Sequence, residues 1–332
     1  MGENALFLKV YGCLIGGCIG DAMGQPVEGK TFRDIEKEFG RVEDFKGAGT
    51  DDSLLKHLLC QAIFDGGGYV TVDDWARVWR REMTKPEVYR WLFIPVRNAW
   101  KKLHAENVKP RDCGSGNMAS SSSAMCIAPM GIINAGSPRE ATLEAWQVAS
   151  IIHHNFCRDA AAVLAAAIAE AFRPEATVES VLSECVRYVP VESGSIFLEA
   201  YEKVMKIMER TGNYEDFRRV MQDEYFDASW DICDSRDTVP STLALFKLSN
   251  GDPQTGIIYG ANYGRDTDTI ANMVGGLAGA FSGSAAFPDR WAEKVEKEAD
   301  VKQHELARKL TEILINRIES RRGAVESVRS LI

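Results

Sequence analysis

Small residues are concentrated in two apolar segments near opposite ends of the chain, and these segments constrain the fold more than any other feature. The first, residues 5–23, carries four glycines at helical spacing: Gly12, Gly16, Gly17 and Gly20. The second, residues 268–282, reads DTIANMVGGLAGAFS. Because glycine has no side chain, a helix face made of glycines lets the backbone of another helix approach closely. We therefore predict two buried central helices that pack against each other.

The remaining sequence is also predicted to be almost entirely helical. Apolar residues recur with a helical period over 51–64, and the alanine-rich stretch 157–172 has high intrinsic helix propensity. Further helices are expected over 72–83, 87–105, 177–188, 195–211, 214–226, 238–249 and 288–322. Alternating runs of Val, Ile and Thr, which are typical of strands, are nearly absent. Since no linker or low-complexity tract interrupts the chain, the sequence predicts a single all-α domain spanning residues 1–332.

Composition and charge argue against several classes of protein. The chain has a formal net charge of −9 and no basic stripe, which argues against nucleic acid as its main partner. Its eight cysteines never form a C-x-x-C pair, and most lie in apolar runs, as expected for reduced, buried residues of a cytoplasmic protein. Residues 5–20 are apolar but are interrupted by Lys9 and glycines, so we expect neither a signal peptide nor a membrane span.

Two short acidic motifs lie more than two hundred residues apart and carry the most specific chemistry. One is Thr50–Ser53 (TDDS) and the other is Asp266–Thr269 (DTDT). Each opens an apolar helical stretch, where a carboxylate can simply cap the helix. If the fold brings the motifs together, however, four carboxylates converge, and they cannot all stay ionised without a counter-cation. A ligand set made of oxygen atoms selects hard cations such as Mg²⁺, Mn²⁺ or Ca²⁺.

Three further loops hold candidate functional residues, and each has a structural alternative. Glu28 follows glycine and proline in a loop, where it can serve as a general base or simply be exposed. The glycine- and serine-rich stretch 114–123 offers hydrogen-bond donors to phosphate, or it is only a flexible polar loop. His153 and His154 are adjacent, so at most one should face a site, and a lone histidine there can be structural.

The order of these motifs resembles the ADP-ribosylglycohydrolase family, which includes the dinitrogenase reductase-activating glycohydrolases and the ADP-ribosylarginine and ADP-ribosylserine hydrolases. The matching pieces are GCLIGGCIGDAMGQPVEG, GTDDS, SSSAMCIAPMG, a histidine before an alanine-rich helix, and GRDTDTIANMVGGLAGAFSG. They extend from about residue 10 to residue 285, so the resemblance covers most of the chain. It is specific to the family but not to one substrate.

The resemblance implies a compact multi-helix orthogonal bundle with a binuclear metal cleft for two Mg²⁺ or Mn²⁺ ions. It implies six metal ligands, three from each motif: Thr50, Asp51 and Asp52, and Asp266, Asp268 and Thr269. Thr267 would point away from the metals. The candidates for the catalytic base are Glu28, which some members use as a mobile ligand or base, Asp51 and Asp52. The implied substrate-binding residues are Ser121, Ser122, Ser123, His153 (with His154 as the alternative) and Arg265.

Three positions depart from the usual family pattern. Ser53 replaces a threonine and keeps the hydroxyl group. Arg265 replaces a glycine, which adds a bulky cation beside the second motif and is expected to alter the outline of the substrate site. Cys126 stands where many members have an arginine, so a basic partner for phosphate is missing or lies elsewhere.

The implied activity is hydrolysis at the anomeric carbon of a ribosyl group, with two metals holding the ribose hydroxyls and the attacking water. The substrate would be an ADP-ribosyl conjugate, either small or attached to a protein. Arg265 and Cys126 favour an alternative, an N-glycosidase for a free nucleoside or nucleotide-like molecule. A further alternative is a non-catalytic relative that binds ADP-ribose or is structural, but the complete set of metal-type ligands argues against it. The sequence leaves the oligomeric state open.

Overall fold

The computed structural model describes residues 4–329, 331 and 332, which fold into seventeen α-helices without any strand. The first nine helices are α1 (Ala5–Gly24), α2 (Phe32–Phe39), α3 (Asp51–Asp65), α4 (Val72–Glu82), α5 (Pro86–Tyr89), α6 (Ile94–His104), α7 (Ala128–Ile133), α8 (Pro138–Val148) and α9 (Phe156–Ala171). The other eight are α10 (Val178–Val186), α11 (Ser195–Thr211), α12 (Tyr214–Val220), α13 (Ser235–Leu248), α14 (Pro253–Ala261), α15 (Thr267–Ser282), α16 (Asp289–Glu298) and α17 (Gln303–Arg329). The predicted all-α fold is thereby confirmed.

Helices α1 and α15 pack against each other in the centre of the fold, as their small residues predicted. They run antiparallel, since positions of rising number on α1 meet positions of falling number on α15, in four pairs: Gly12 with Gly279, Gly16 with Gly275, Gly20 with Ala271, and Gly24 with Thr267. A Cβ atom added at Gly12 would lie only 2.5 Å from the carbonyl oxygen of Gly279. Because of this antiparallel contact, the end of α1 lies beside the start of α15 and its acidic motif.

The hydrophobic core lies on both sides of α1. Val10 and Leu14 belong to the larger cluster of buried side chains, and Ile15 and Ile19 belong to the smaller one. Together with the turn that follows it, this segment is longer than the sequence analysis expected, and Ala5–Val27 is long and apolar enough to cross a membrane. In the fold, however, 78% of its apolar window is buried, as is usual for the central helix of a core.

Several helix boundaries differ from the sequence predictions. The expected helix 288–322 is two helices, because Ala299 is extended and the amine of Lys302 donates to the carbonyl oxygens of Glu296 and Ala299 at the end of α16. The expected helix 87–105 is interrupted before Ile94, where Pro95 occupies the first turn of a new helix. Segment 214–226 ends as a short π-helix. Four helices were not predicted: α2, α7, α8 and α14.

Candidate metal centre

The two acidic motifs converge at the start of α3 and α15. The hydroxyl of Thr269 lies 3.4 Å from Asp52 Oδ1, and the side-chain amide of Asn272 donates to Asp52 Oδ2 at 3.0 Å. Asp52, Asp266 and Asp268 are each at most 5% exposed. The fold thus brings together the carboxylates that the sequence separates by more than two hundred residues.

A third contributor to the acid cluster is the loop after α1. Carboxylate oxygens of Glu28, Asp266 and Asp268 all lie within 4.8 Å of one another. Burial, followed by the negative charge of Asp21, raises the pKa of Asp51 to about 7, and burial likewise raises the pKa of Asp266 to about 7. This set of crowded, buried oxygen ligands fits hard divalent cations, since a bound cation would offset the repulsion between the carboxylates.

Helix capping accounts for only part of this arrangement. The Thr50 hydroxyl caps α3 by accepting from the backbone N–H of Asp52, so the cap is a hydroxyl and not one of the carboxylates that the structural alternative expected. Asp266 occupies the N-cap position of α15 but makes no capping hydrogen bond, and its Oδ2 accepts from the Ser121 hydroxyl at 2.9 Å instead. Thr267 points away, as expected, and donates to the carbonyl oxygen of Gly24.

Asp21 is a residue of this centre that the sequence analysis did not assign to a site. It is fully buried and accepts from the backbone N–H of Thr50 at 2.9 Å, the backbone N–H of Ser53 at 3.1 Å and the Ser53 hydroxyl at 2.7 Å. These three hydrogen bonds fix the position of the first acidic motif. The sequence feature that could have indicated this role is an acidic residue within the apolar, glycine-rich helix α1, because a buried charged side chain needs hydrogen-bond partners.

Two more buried polar residues support the cluster and were also missed. Asn272 donates from one amide group to both Asp52 and the carbonyl oxygen of Met125, so it fixes the orientation of that carboxylate. Lys56 is 1% exposed and donates to the carbonyl oxygen of Leu14 and to the sulfur of Cys18. Its positive charge lowers the pKa of Asp21, against the larger raising effect of burial. An Asn and a Lys inside apolar helices were the available signals.

The serine-rich loop divides its side chains between the acid cluster and a buried histidine. Ser121 contacts Asp266, and Ser121 and Ser122 both line the cleft. Ser123 and Ser120 instead face His153, at 2.8 and 3.1 Å. Burial lowers the pKa of His153 to about 3, so this imidazole is neutral. His153 therefore lies behind the serine loop rather than on the surface of the cleft.

His154 and Arg265 lie outside the cleft lining. His154 is exposed and contacts the carbonyl oxygen of Arg111, next to a different cavity. The guanidinium of Arg265 donates to the carbonyl oxygen of Asp231 at 2.8 Å and lies 3.3 Å from Asp237, an acid that does not line the cleft. The structure therefore places neither side chain beside the acid cluster.

The cleft itself is a cavity of about 160 Å³ with an acidic floor and partly apolar walls. Its lining residues are Glu28, Asp51, Asp52, Phe93, Ile94, Ser121, Ser122, Met125, Asp231, Ile232, Cys233, Asp266, Asp268 and Thr269. The wall residues 231–233 and 93–94 were not singled out from the sequence. Thr50 faces a neighbouring cavity of about 390 Å³, which also contains Trp91.

The convergence of these motifs agrees with what comparison with known proteins shows. The sequence model of the ADP-ribosylglycohydrolase family matches residues 3–323. The chain belongs to the ADP-ribosylglycohydrolase family. An uncharacterised protein of Archaeoglobus fulgidus is 26% identical over 92% of this chain and 96% of its own length. Human ADP-ribosylhydrolase ARH3 is 24% identical over 90% of this chain and 93% of its own length.

A solved structure shows the same fold. A chain described as an ADP-ribosylglycohydrolase-related protein complex superposes with a TM-score of 0.69 at 22% identity, covering 93% of this chain and 99% of that chain. The ADP-ribosylglycohydrolase family, to which the chain belongs, consists of glycosidases that act on ADP-ribosyl conjugates.

Proposed function

We propose that this ADP-ribosylglycohydrolase is a divalent-metal-dependent enzyme that hydrolyses the bond at C1 of the ribosyl group in an ADP-ribosyl conjugate. The observation that carries this proposal is the convergence of Glu28, Asp52, Asp266 and Asp268 in one largely buried cleft. Acids crowded in this way destabilise a folded protein unless they bind a cation or protons. Helix capping alone gives no reason to retain them.

The proposed metal ligands are six of the eight residues of the two motifs, with Glu28 as an additional ligand or as the base. They are Thr50, Asp51, Asp52, Asp266, Asp268 and Thr269. When bound, two Mg²⁺ or Mn²⁺ ions would neutralise the carboxylates and lower the pKa of a coordinated water. The chain's own residues orient this ligand set, since Asn272 holds Asp52 and Ser121 holds Asp266.

The base would be a carboxylate at the edge of the cleft. Glu28 is a strong candidate because it lies in an exposed loop yet reaches the acid cluster. Burial, followed by the charge of Asp21, raises the pKa of Glu28, which makes its carboxylate a better proton acceptor at neutral pH. Asp51 and Asp52 remain the other candidates. Ser121 and Ser122 would bind ribose or phosphate oxygens of the substrate along the same cleft.

The volume of the cleft favours a second candidate function, hydrolysis of a free nucleoside or nucleotide-like molecule. Pockets for drug-sized ligands usually enclose about 300–1,000 Å³. The cavity of about 160 Å³ encloses far less, so it would hold the ribosyl group while the rest of a large conjugate lies outside. Apolar residues Phe93, Ile94 and Met125 in its walls suit a planar base.

A hydrolysis screen distinguishes these possibilities. The purified protein would be incubated with ADP-ribosyl-arginine, ADP-ribosyl-serine, O-acetyl-ADP-ribose and free nucleosides, in Mg²⁺, in Mn²⁺ and in EDTA.

We expect the protein to hydrolyse at least one of these substrates, and we expect EDTA to abolish that hydrolysis. Asp268→Asn should lower both the rate of hydrolysis and the affinity for Mg²⁺ measured by calorimetry. The control is Asp74→Asn, which changes a half-buried acid in the capping box of α4, outside the cleft lining. Unchanged metal stoichiometry and affinity in both Asp268→Asn and Asp51→Asn would contradict the metal assignment. Metal binding without turnover of any substrate would favour a non-catalytic relative.

A further inference from the structure

Arg265 has an unusual backbone conformation beside the second acidic motif. Its φ angle is 63°, in the left-handed region, and the other non-glycine residues with positive φ in the described chain are Asn107 and Asn250. Asparagine adopts this region readily, whereas a long side chain rarely does, because its Cβ atom crowds the backbone there. Keeping an arginine here therefore needs an interaction that glycine could not supply.

The backbone of Arg265 attaches it to the loop that carries Glu28. The N–H of Arg265 donates to the carbonyl oxygen of Lys30 at 2.7 Å, and the N–H of Gly29 donates to the carbonyl oxygen of Arg265 at 2.8 Å. The partners of Arg265 in these two bonds, Gly29 and Lys30, are the two residues that follow Glu28 in the sequence. They fix one wall of the cleft to the strained residue.

The side chain of Arg265 attaches it to the opposite wall. Its guanidinium donates to the carbonyl oxygen of Asp231, the first residue of the wall segment 231–233, and lies over the ring of Phe226 at 4.2 Å. Its Nε is 3.3 Å from Oδ2 of Asp237, a fully buried acid on α13. The other oxygen of Asp237 accepts from Ser241. The wall segment is thus tied through Arg265 to a buried helix.

We propose that Arg265 is a positioning residue that joins the two walls of the cleft and keeps it narrow, so that the enzyme prefers small leaving groups to those on a protein surface. The selectivity part rests on the proposed glycosidase function, whereas the structural part does not. Arg265 does not line the cleft, so its effect on substrates would be exerted through segment 231–233.

The test uses the full-length protein with Mg²⁺. It needs a variant that removes the link between the two walls without leaving an unpaired buried charge. Arg265→Met alone would leave Asp237 buried without its cation, which can unfold the protein. The double variant Arg265→Met with Asp237→Asn removes both charges, keeps an apolar stem over Phe226 and keeps the same strained backbone. Asp237→Asn alone is its matched control, because it retains the bond from Arg265 to Asp231. Arg33→Met, which removes an exposed arginine paired with Asp223, is the control for loss of a surface ion pair.

Two measurements follow. In hydrogen exchange, we expect peptides covering residues 229–234 to exchange at least about tenfold faster in the double variant than in either control, while peptides covering residues 28–30 change little. In kinetics, the ratio of kcat/KM for an ADP-ribosylated peptide to that for a small ribosyl substrate should rise roughly tenfold in the double variant, a size typical of changes in pocket contacts. Arg265→Lys should give intermediate values.

The outcomes separate the parts of the proposal. If residues 229–234 exchange at the wild-type rate in the double variant, Arg265 does not hold the two walls together. Faster exchange with an equal change in kcat/KM for both substrates would overturn the effect on selectivity. If the wild-type protein hydrolyses no substrate, the proposed function fails, and the exchange experiment still decides whether Arg265 joins the two walls.

Discussion

At the scale of single residues, the centre depends on buried groups that hold the proposed ligands in place. Asp21 accepts two backbone N–H groups and one hydroxyl from the first motif, and Asn272 holds Asp52. Such groups determine where the carboxylates of α3 lie before any cation binds. A ligand set held in this way loses less conformational entropy on binding metal.

Replacing Asp21 should therefore affect both stability and metal binding. Asp21→Ala leaves the half-buried N–H of Thr50 and the buried N–H of Ser53 without this acceptor, and a buried unsatisfied group costs about 1–3 kcal/mol. We expect a lower melting temperature and weaker Mg²⁺ binding in calorimetry. The matched control is Asp74→Ala, which removes a carboxylate that also accepts a backbone N–H at a helix start but does not line the cleft. Equal loss of metal affinity in both variants would contradict a specific role for Asp21.

The role of Glu28 can be separated from metal retention. Glu28→Gln preserves the shape of the side chain but removes its ability to accept a proton, and loss of a general base typically costs about 10²–10⁴-fold in rate. We expect kcat to fall by this factor while the fold and most of the metal affinity are retained. Asp51→Asn should lower kcat at least as much and also weaken Mg²⁺ binding. Near-normal turnover by Glu28→Gln would assign the base to one of the aspartates.

At the scale of secondary structure, the close contact between α1 and α15 determines where the second acidic motif lies. Gly20 faces Ala271 and the backbone N of Asn272. Any separation of the two helices would move Asn272, and with it Asp52 and the first turn of α15. The small-residue packing is therefore a condition for the proposed metal centre as well as for the core.

Adding a single methyl group at this contact tests the connection. Gly20→Ala places a Cβ atom against the backbone of Ala271 with no room to move, and overpacking of this kind costs about 1–3 kcal/mol or more. We expect a lower melting temperature together with weaker Mg²⁺ binding. Gly323→Ala is the control, because nothing lies within 4 Å of its Cβ position on α17 and alanine should stabilise that helix by up to about 1 kcal/mol. Normal metal affinity in Gly20→Ala would show that the contact serves only the core.

How far the sequence predicted these elements depended on whether the signal was local. The start of α3 at Asp51 followed from residues within one turn of each other, and the packing of α1 on α15 followed from the small residues that each segment carries at helical spacing. The break between α16 and α17 was not predicted, because no proline or glycine marks it and the charged pattern continues through it. Segment 231–233 was missed for a similar reason. It becomes a wall only through its contact with Arg265, more than thirty residues away.

At the scale of the whole molecule, the fold concentrates acidic groups in its interior in addition to the net charge of −9. Burial and the neighbouring charges raise the pKa of Asp52 and Asp268 well above its usual value, in addition to the shifts at Asp51 and Asp266. In the absence of a cation, the folded protein therefore holds protons at a pH where the unfolded chain has lost them. Stability depends on pH through this one cluster, and the proposed metal binding would be linked to both.

The buried His153 and the half-buried His57 complicate this linkage at low pH. Burial lowers the pKa of His57 and His153 from 6.5 to about 3, so between these values the unfolded chain binds protons that the folded protein does not. These histidines therefore make stability rise as the pH increases toward 6.5. At pH 6.5 about half of these side chains are still protonated in the unfolded chain, so their contribution rises only slightly further and ends near pH 7.5. The effect of the acid cluster is best measured between pH 6.5 and 8.

In that window, the metal-free protein should become less stable as the pH rises. Asp51 and Asp266 have a pKa of about 7 in the folded protein, compared with an ordinary value of 3.8. The folded protein therefore keeps protons on them that the unfolded chain has already released, and it loses this stabilisation as the pH rises past 7. We expect the melting temperature in EDTA to fall from pH 6.5 to pH 8, and Mg²⁺ to raise it more at pH 8, where protons no longer compete with the metal. The double variant Asp51→Asn with Asp266→Asn should show a flatter pH profile in EDTA and a smaller gain from Mg²⁺. A metal-free wild-type protein that is more stable at pH 8 than at pH 6.5 would show that the acid cluster does not control this dependence.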